Sequence, residues 1–402
     1  MDTILHGISA LQLLNAPPAA RAFDMPIEVV RALPQPVPDI APRANSTPAA
    51  RTLKAHLLSE LKGVSLPIHI AVTGRATARS KHIVWHETRF DYPAEDLIHI
   101  GDGLYATTPL RTLLDLAPSC SLVGLLRVLF SMCGLYAICP KTTRMEAALT
   151  TMAARGSISP RASRSISAFY GVDGTPLDMT GAQGGLSAWE PCFDKNGVLT
   201  DLWKRPPLVT LDELGAWLNG IGPQPGLSRL RRAAGLAMPG SASPAETLFA
   251  ILSHLPRSLG GEGLERSLLN RRVELNEAGA RALGHRTCVG DATWRASDGG
   301  VRKTCIEVEG AAFHETGRSM TWRNVPARDD HARANALRAS GFDVIPVTWA
   351  QMARIDMWEV LMDVVAESLG VKRRRQTAAF MAQRVKLRGE MLGLPGAGRV
   401  GQ

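Results

Sequence analysis

The stretch Thr304-Cys305-Ile306-Glu307-Val308-Glu309 alternates with period two. As a strand it puts Glu307 and Glu309 on one face with Cys305, and Thr304, Ile306 and Val308 on the other. Two carboxylates that close must bind protons or recruit a cation. Asp291 precedes Trp294 on the strand before, and a turn at Ser297-Asp298-Gly299-Gly300 brings it beside Glu307. Glu246 lies on a helix ahead of both strands, and His314 follows Glu309 across Gly310-Ala311-Ala312-Phe313. Hard oxygen ligands suit a divalent cation such as Mg²⁺. Such a cation acidifies a bound water and neutralises charge at phosphorus, and a nearby histidine moves a proton. The chemistry is that of a metal-dependent phosphodiesterase. The plainer readings are an exposed edge-strand face for Glu307 and Glu309, a structural histidine for His314, and a turn or cap role for Asp291.

The elements that must position these groups are legible. Ser243-Pro244-Ala245-Glu246 opens a helix, with serine at the cap, proline in the first turn and glutamate three residues on. The pattern then predicts strands near 286–294 and at 303–309, a helix over 327–340, a strand at 342–348 and a closing helix over 351–369. Upstream, 4–14 has helical apolar spacing and 16–50 is proline-rich, with a short helix around 27–32. Strands are expected at 67–72 and 83–86, with a hairpin over 97–107. Thr108-Pro109 opens a helix, and a second helical stretch covers about 121–136. Glycines punctuate 155–208 and break any long element. Thr210 and Glu213 form a capping-box pattern, and 227–236 is a basic helix.

Length and composition bound the rest. The chain has 402 residues, a net charge of +9, 45% hydrophobic and 21% charged residues, which is a globular composition of two or three domains. Six cysteines show no Cys-x-x-Cys pair, so reduced, mostly buried thiols are expected, as in the cytoplasm. No signal peptide is visible at the N-terminus, and the longest apolar stretch, 128–139, is short of the ~20 residues of a membrane helix. From Gly370 onward there are eight basic residues and one acid, Glu390, so +7 of the +9 sits there. Lys372, Arg373, Arg374 and Arg375 are its densest run, read either as solvated chain or as a nonspecific phosphate contact.

Two stretches carry a family resemblance. Ser243-Pro244-Ala245-Glu246-Thr247, Gly290-Asp291-Ala292-Thr293-Trp294 and Ile306-Glu307-Val308-Glu309-Gly310 resemble a Vsr-like, very-short-patch-repair endonuclease domain. His314, Asp330, Arg333, Leu337 and Gly341-Phe342-Asp343-Val344 continue that likeness. Upstream, Ile8-Ser9-Ala10-Leu11, Pro67-Ile68-His69-Ile70-Ala71-Val72, His86 and above all 108–117 (TPLRTLLDLA) resemble AbiEi-type antitoxin proteins of actinobacteria. The resemblance implies an α+β or α/β chain. A helical and small-sheet N-terminal region (1–118) lacks the usual winged helix, and a helical, loop-rich connector follows (119–240). A PD-(D/E)XK nuclease-like domain with a mixed sheet flanked by helices comes next (241–371), then a basic tail (372–402). It implies Asp291 and Glu307 as Mg²⁺ ligands, Glu309 and Glu246 as further acidic residues, His314 as general acid/base, DNA as substrate, and a toxin–antitoxin partner protein. The chain departs from the nuclease pattern at Glu309, where a lysine is usual, and at Pro346, where an arginine is usual. The alternative function is a non-catalytic DNA-binding or antitoxin-like regulator on a degenerate nuclease fold.

Overall fold

The computed structural model describes residues 3–16, 64–74, 82–88, 91–101, 104–139, 199–294, 303–309 and 327–393, with short strand pieces at 159–160, 169–170, 190–193, 311–313 and 319–321. The architecture is mixed α+β. The helix considered at 27–32 lies outside the described residues.

The first sheet is built from β1 (Thr3–Leu5), β2 (Ile68–Thr73), β3 (Ile83–Thr88), β4 (Leu97–Gly101) and β5 (Leu104–Thr107), in the order β3-β2-β1-β5-β4. β1 runs antiparallel to β2 and parallel to β5, and β2 runs parallel to β3. The expected helix over 4–14 is therefore two elements: β1, then α1 (Gly7–Leu14). Ile4 and Leu5 satisfy both periodicities over so short a run. Gly7, at φ +52°, turns the chain between them, in a region that favours glycine. Leu5, Ala10, Leu13, Ile68, Ile70 and Leu104 form the core between α1 and the sheet.

Then follow α2 (Pro109–Leu116), α3 (Leu122–Met132), β6 (Tyr136–Ile138), β7 (Glu190–Phe193), β8 (Leu199–Lys204), α4 (Leu211–Gly220) and α5 (Leu227–Leu236). Thr210 and Glu213 form the expected capping box at α4. The basic helix α5 is structural in part: Arg229 donates to the carbonyls of Ala117 and Cys120, and Arg231 to that of Leu218.

The third group is α6 (Pro244–His254), β9 (Leu268–Glu274), α7 (Glu277–Leu283), β10 (Thr287–Trp294), β11 (Lys303–Glu309), α8 (Ala327–Ala339), β12 (Phe342–Thr348), α9 (Trp349–Ala353) and α10 (Ile355–Leu369). Its sheet has the order β9-β10-β11-β12; the first three strands are antiparallel and β12 runs parallel to β11. β12 is an edge, which is where a sheet tolerates Pro346. One continuous core joins Leu126, Phe130 and Leu230 to Phe249, Ile306 and Trp358, with no break near residue 240.

The segment read as a basic tail contains α11 (Ala378–Leu392), packed on the body. Arg384 is buried against Glu262, at 2.6 Å, with its guanidinium 4.4 Å from the Phe380 ring centre. Arg388 lies 5.1 Å from the Trp358 ring and donates to the Met352 carbonyl. Ser121 and Arg127 on α3 hold Glu390. Part of the terminal positive charge, Arg373 and Arg384, is thus internal counter-charge.

Candidate active site

α6, β10 and β11 bring Glu246, Asp291 and Glu307 into one electrostatically interacting group. Register does most of this. Ala292 pairs with Ile306, so Asp291 stands beside Glu307 and its Oδ2 accepts from the Val308 amide at 2.7 Å. Gly290 is required by close approach, because a Cβ there would lie 2.6 Å from Cys305 Sγ and 2.9 Å from Thr293 Cγ2.

Each carboxylate already has protein partners. Glu246 Oε2 accepts from the Ala242 amide at 2.7 Å and from Asn270 Nδ2, and its Oε1 from Ser243 Oγ at 3.0 Å. Ser243 Oγ in turn accepts from the Glu246 amide, so Ser243 caps the helix while the Glu246 side chain braces it. Glu307 Oε2 accepts from Arg333 Nη2 on α8, while Cys305 Sγ donates to its Oε1 at 3.5 Å. Asn270 on β9 holds the group from the far side. The β9–β10 register sets it opposite Asp291, and it sits at φ +45°, a conformation asparagine tolerates better than most residues.

The electrostatics follow from burial. Desolvation pushes the Asp291 carboxyl well above its ordinary range, reinforced by Glu246 and Glu307 and opposed by Arg333. Desolvation also raises Glu246, against the lowering effect of its hydrogen bonds. The Cys305 thiol is pushed up by burial and by Glu307, so it is inert as a nucleophile. Such a group holds protons or exchanges them for a cation. The donors are hard oxygens, of the class that binds Mg²⁺. Among the described residues, no three histidine, cysteine or carboxylate groups converge tightly enough as they stand to hold a metal ion.

The other expected site residues fall differently. Glu309 ends β11, paired with Thr348; its side chain, like all of His314, lies outside the described residues. Lys372, Arg374 and Arg375 are exposed. Arg373 is engaged by Glu359 at 2.6 Å, Asp363 at 2.7 Å and Glu262 at 3.4 Å. Asn270 was not expected, because β9 itself was not. Arg333 was visible only through the resemblance. No helix among the described residues is long and apolar enough to cross a membrane. Comparison with known proteins finds no matching family model, no matching curated protein and no matching solved structure.

Proposed function

We propose that residues 241–371 form a metal-dependent DNA endonuclease module of the Vsr-like, PD-(D/E)XK type. The observation that carries this reading is the grouping of Glu246, Asp291 and Glu307 against the Arg333 guanidinium. The element order supports it: helix, three antiparallel strands with a short helix between the first two, helix, then a strand parallel to the acidic one. Asp291 and Glu307 are the residues that would hold Mg²⁺ or a related dication, and Arg333 would give up Glu307 to it. The cation supplies an acidified water and charge neutralisation at phosphorus. The chain's own part is positional. Val308 fixes the Asp291 carboxylate, and the Ser243, Ala242 and Asn270 donors fix Glu246. His314 is the proposed proton carrier.

A second reading, a non-catalytic DNA-binding or antitoxin-like protein of the cytoplasm with a toxin as partner, is favoured by specific observations. Arg333 already occupies Glu307, Ala242, Ser243 and Asn270 already occupy Glu246, and Glu309 stands where the nuclease pattern has lysine. Purified full-length chain incubated with supercoiled plasmid and Mg²⁺ or Mn²⁺ decides between them. Nicking that is lost in Asp291→Asn supports the endonuclease. Electrophoretic retardation in low salt without cleavage supports the regulator. Nicking retained by Asp291→Asn overturns the assignment of the site.

A further inference from the structure

The first sheet carries a second polar cluster that the nuclease reading does not use. We propose that His6, His69 and His86, which do not converge tightly enough as they stand to hold an ion, close on a zinc-class transition-metal dication by small ring rotations, with Asp115 holding the His6 ring from behind.

Three neighbouring strands supply the ligands. His6 directly follows β1, and its amide donates to the His69 carbonyl on β2 at 3.0 Å. The parallel register pairs Ala71 with His86 and His69 with Val84, so His69 and His86 share one sheet face. His69 Nδ1 lies 2.8 Å from His86 Nε2, and the His6 and His86 ring centres are 4.4 Å apart. Behind His6, its Nδ1 contacts Tyr92 Oη at 2.9 Å and Asp115 Oδ2 at 3.3 Å. A carboxylate on one imidazole nitrogen fixes the tautomer and frees the other for a metal, which is the common outer arrangement of histidine metal sites. Asp115 is itself only 3% exposed and is fixed by Arg111 Nε at 2.9 Å.

Charge agrees with this. Among the described residues, Asp96 and Asp115 face one cation, Arg111, which also sits 4.7 Å from the Tyr92 ring centre. The local balance is therefore negative once the imidazoles are neutral. Neutral imidazoles select zinc, cobalt, nickel or copper over Mg²⁺, so Mg²⁺ is left to the carboxylate group. Loading replaces the His69–His86 hydrogen bond. The N–H of that bond moves to the ring's other nitrogen through solvent. The ion would tie the three-residue strand β1 to β2 and β3.

The test is titration of the chelator-stripped full-length chain with Zn²⁺ against a chromophoric competitor, and with Co²⁺ read by visible absorption. The expected result is one equivalent with the intense spectrum of a four- or five-coordinate ion. Affinity falls at least ~10-fold in His6→Gln, His69→Gln or His86→Gln and ~10- to 100-fold in Asp115→Asn, and is unchanged in Asp291→Asn. Imidazole ¹⁵N shifts of the wild-type chain give a readout that needs no variant: three resonances move together on adding Zn²⁺ and stay still with Mg²⁺. Equal affinity in wild type and in a folded His86→Gln chain, or no concerted movement of three resonances, overturns the proposal. The outcome is independent of whether the chain cuts DNA.

Discussion

Arg333 reaches from α8 to Glu307 on β11, so the acidic strand takes its counter-charge from a helix and not from a lysine of its own. Removing that guanidinium leaves the carboxylates of Glu307, Asp291 and Glu246 facing one another. Arg333→Ala is expected to destabilise the fold by ~1–3 kcal/mol, discounted because the Arg333 side chain is 30% exposed. The loss grows from pH 5 to pH 8, as the carboxyls ionise. Urea unfolding across that range checks it; a pH-independent loss contradicts the electrostatic account.

Asp291→Asn acts in the opposite direction on stability. Burial and two neighbouring carboxylates hold the Asp291 carboxyl well above its ordinary range, so its ionised form costs the fold more as pH rises through that raised value. The neutral amide removes the cost. The variant is expected to melt higher than wild type without metal, by an amount worth ~0.5–2 kcal/mol, while losing any cleavage and the heat of Mg²⁺ binding. Calorimetry on the same two samples reads all three.

Asn270 separates backbone strain from hydrogen bonding. Asn270→Gly keeps the φ +45° conformation and loses the contacts to Glu246 and the Gly240 carbonyl, while Asn270→Ala loses both. Alanine is expected to cost ~1–2 kcal/mol more than glycine does. Equal losses place the whole effect in the hydrogen bonds.

Acid weakens the first sheet. Burial, with His6 and His69 as neighbours, lowers His86 to about 4 from 6.5. The unfolded chain therefore binds the proton more readily, and stability falls as pH drops from about 6.5 to about 4. Discounted for partial exposure, the loss is ~1–2 kcal/mol. His86→Gln removes that part of the slope. Denaturation midpoints of metal-free protein at several pH values measure it.

DNA affinity at the basic run is best tested by side chain, not by truncation. Lys372→Ala, Arg374→Ala and Arg375→Ala change exposed residues and, on the phosphate-contact reading, lower the salt dependence of binding by about one ion each. Arg384→Met instead strips the buried Glu262 carboxylate of a partner and is expected to cost ~3 kcal/mol or more. A filter-binding salt series on the first set and thermal melting of the second distinguish contact from scaffold.

The site-bearing third of the chain was legible because its signals are local. Period-two alternation gives β11 to the residue, and the caps Ser243 and Thr210 start their helices where side-chain chemistry says they must. The expected pairing of Asp291 with Glu307 is present, though the turn read at 297–300 lies outside the described residues. Less local signals misled or were silent. Ile4 and Leu5 read as helix until the sheet claims them as its central strand. β9 shows Asn270-Arg271-Arg272 in mid-strand, where propensity argues against a strand, and only pairing with β10 makes it one. The three histidines lie up to eighty residues apart, and nothing but strand order brings them together.

The docking of α11 sets an order of events at synthesis. Glu262 is buried with Arg384, which is made 122 residues later. Trp358 is likewise covered by Arg388. While the chain is still emerging from the ribosome, the first sheet has all its strands but the last module lacks the helix that neutralises its interior. That module completes its folding only once α11 has emerged, after the first sheet has formed.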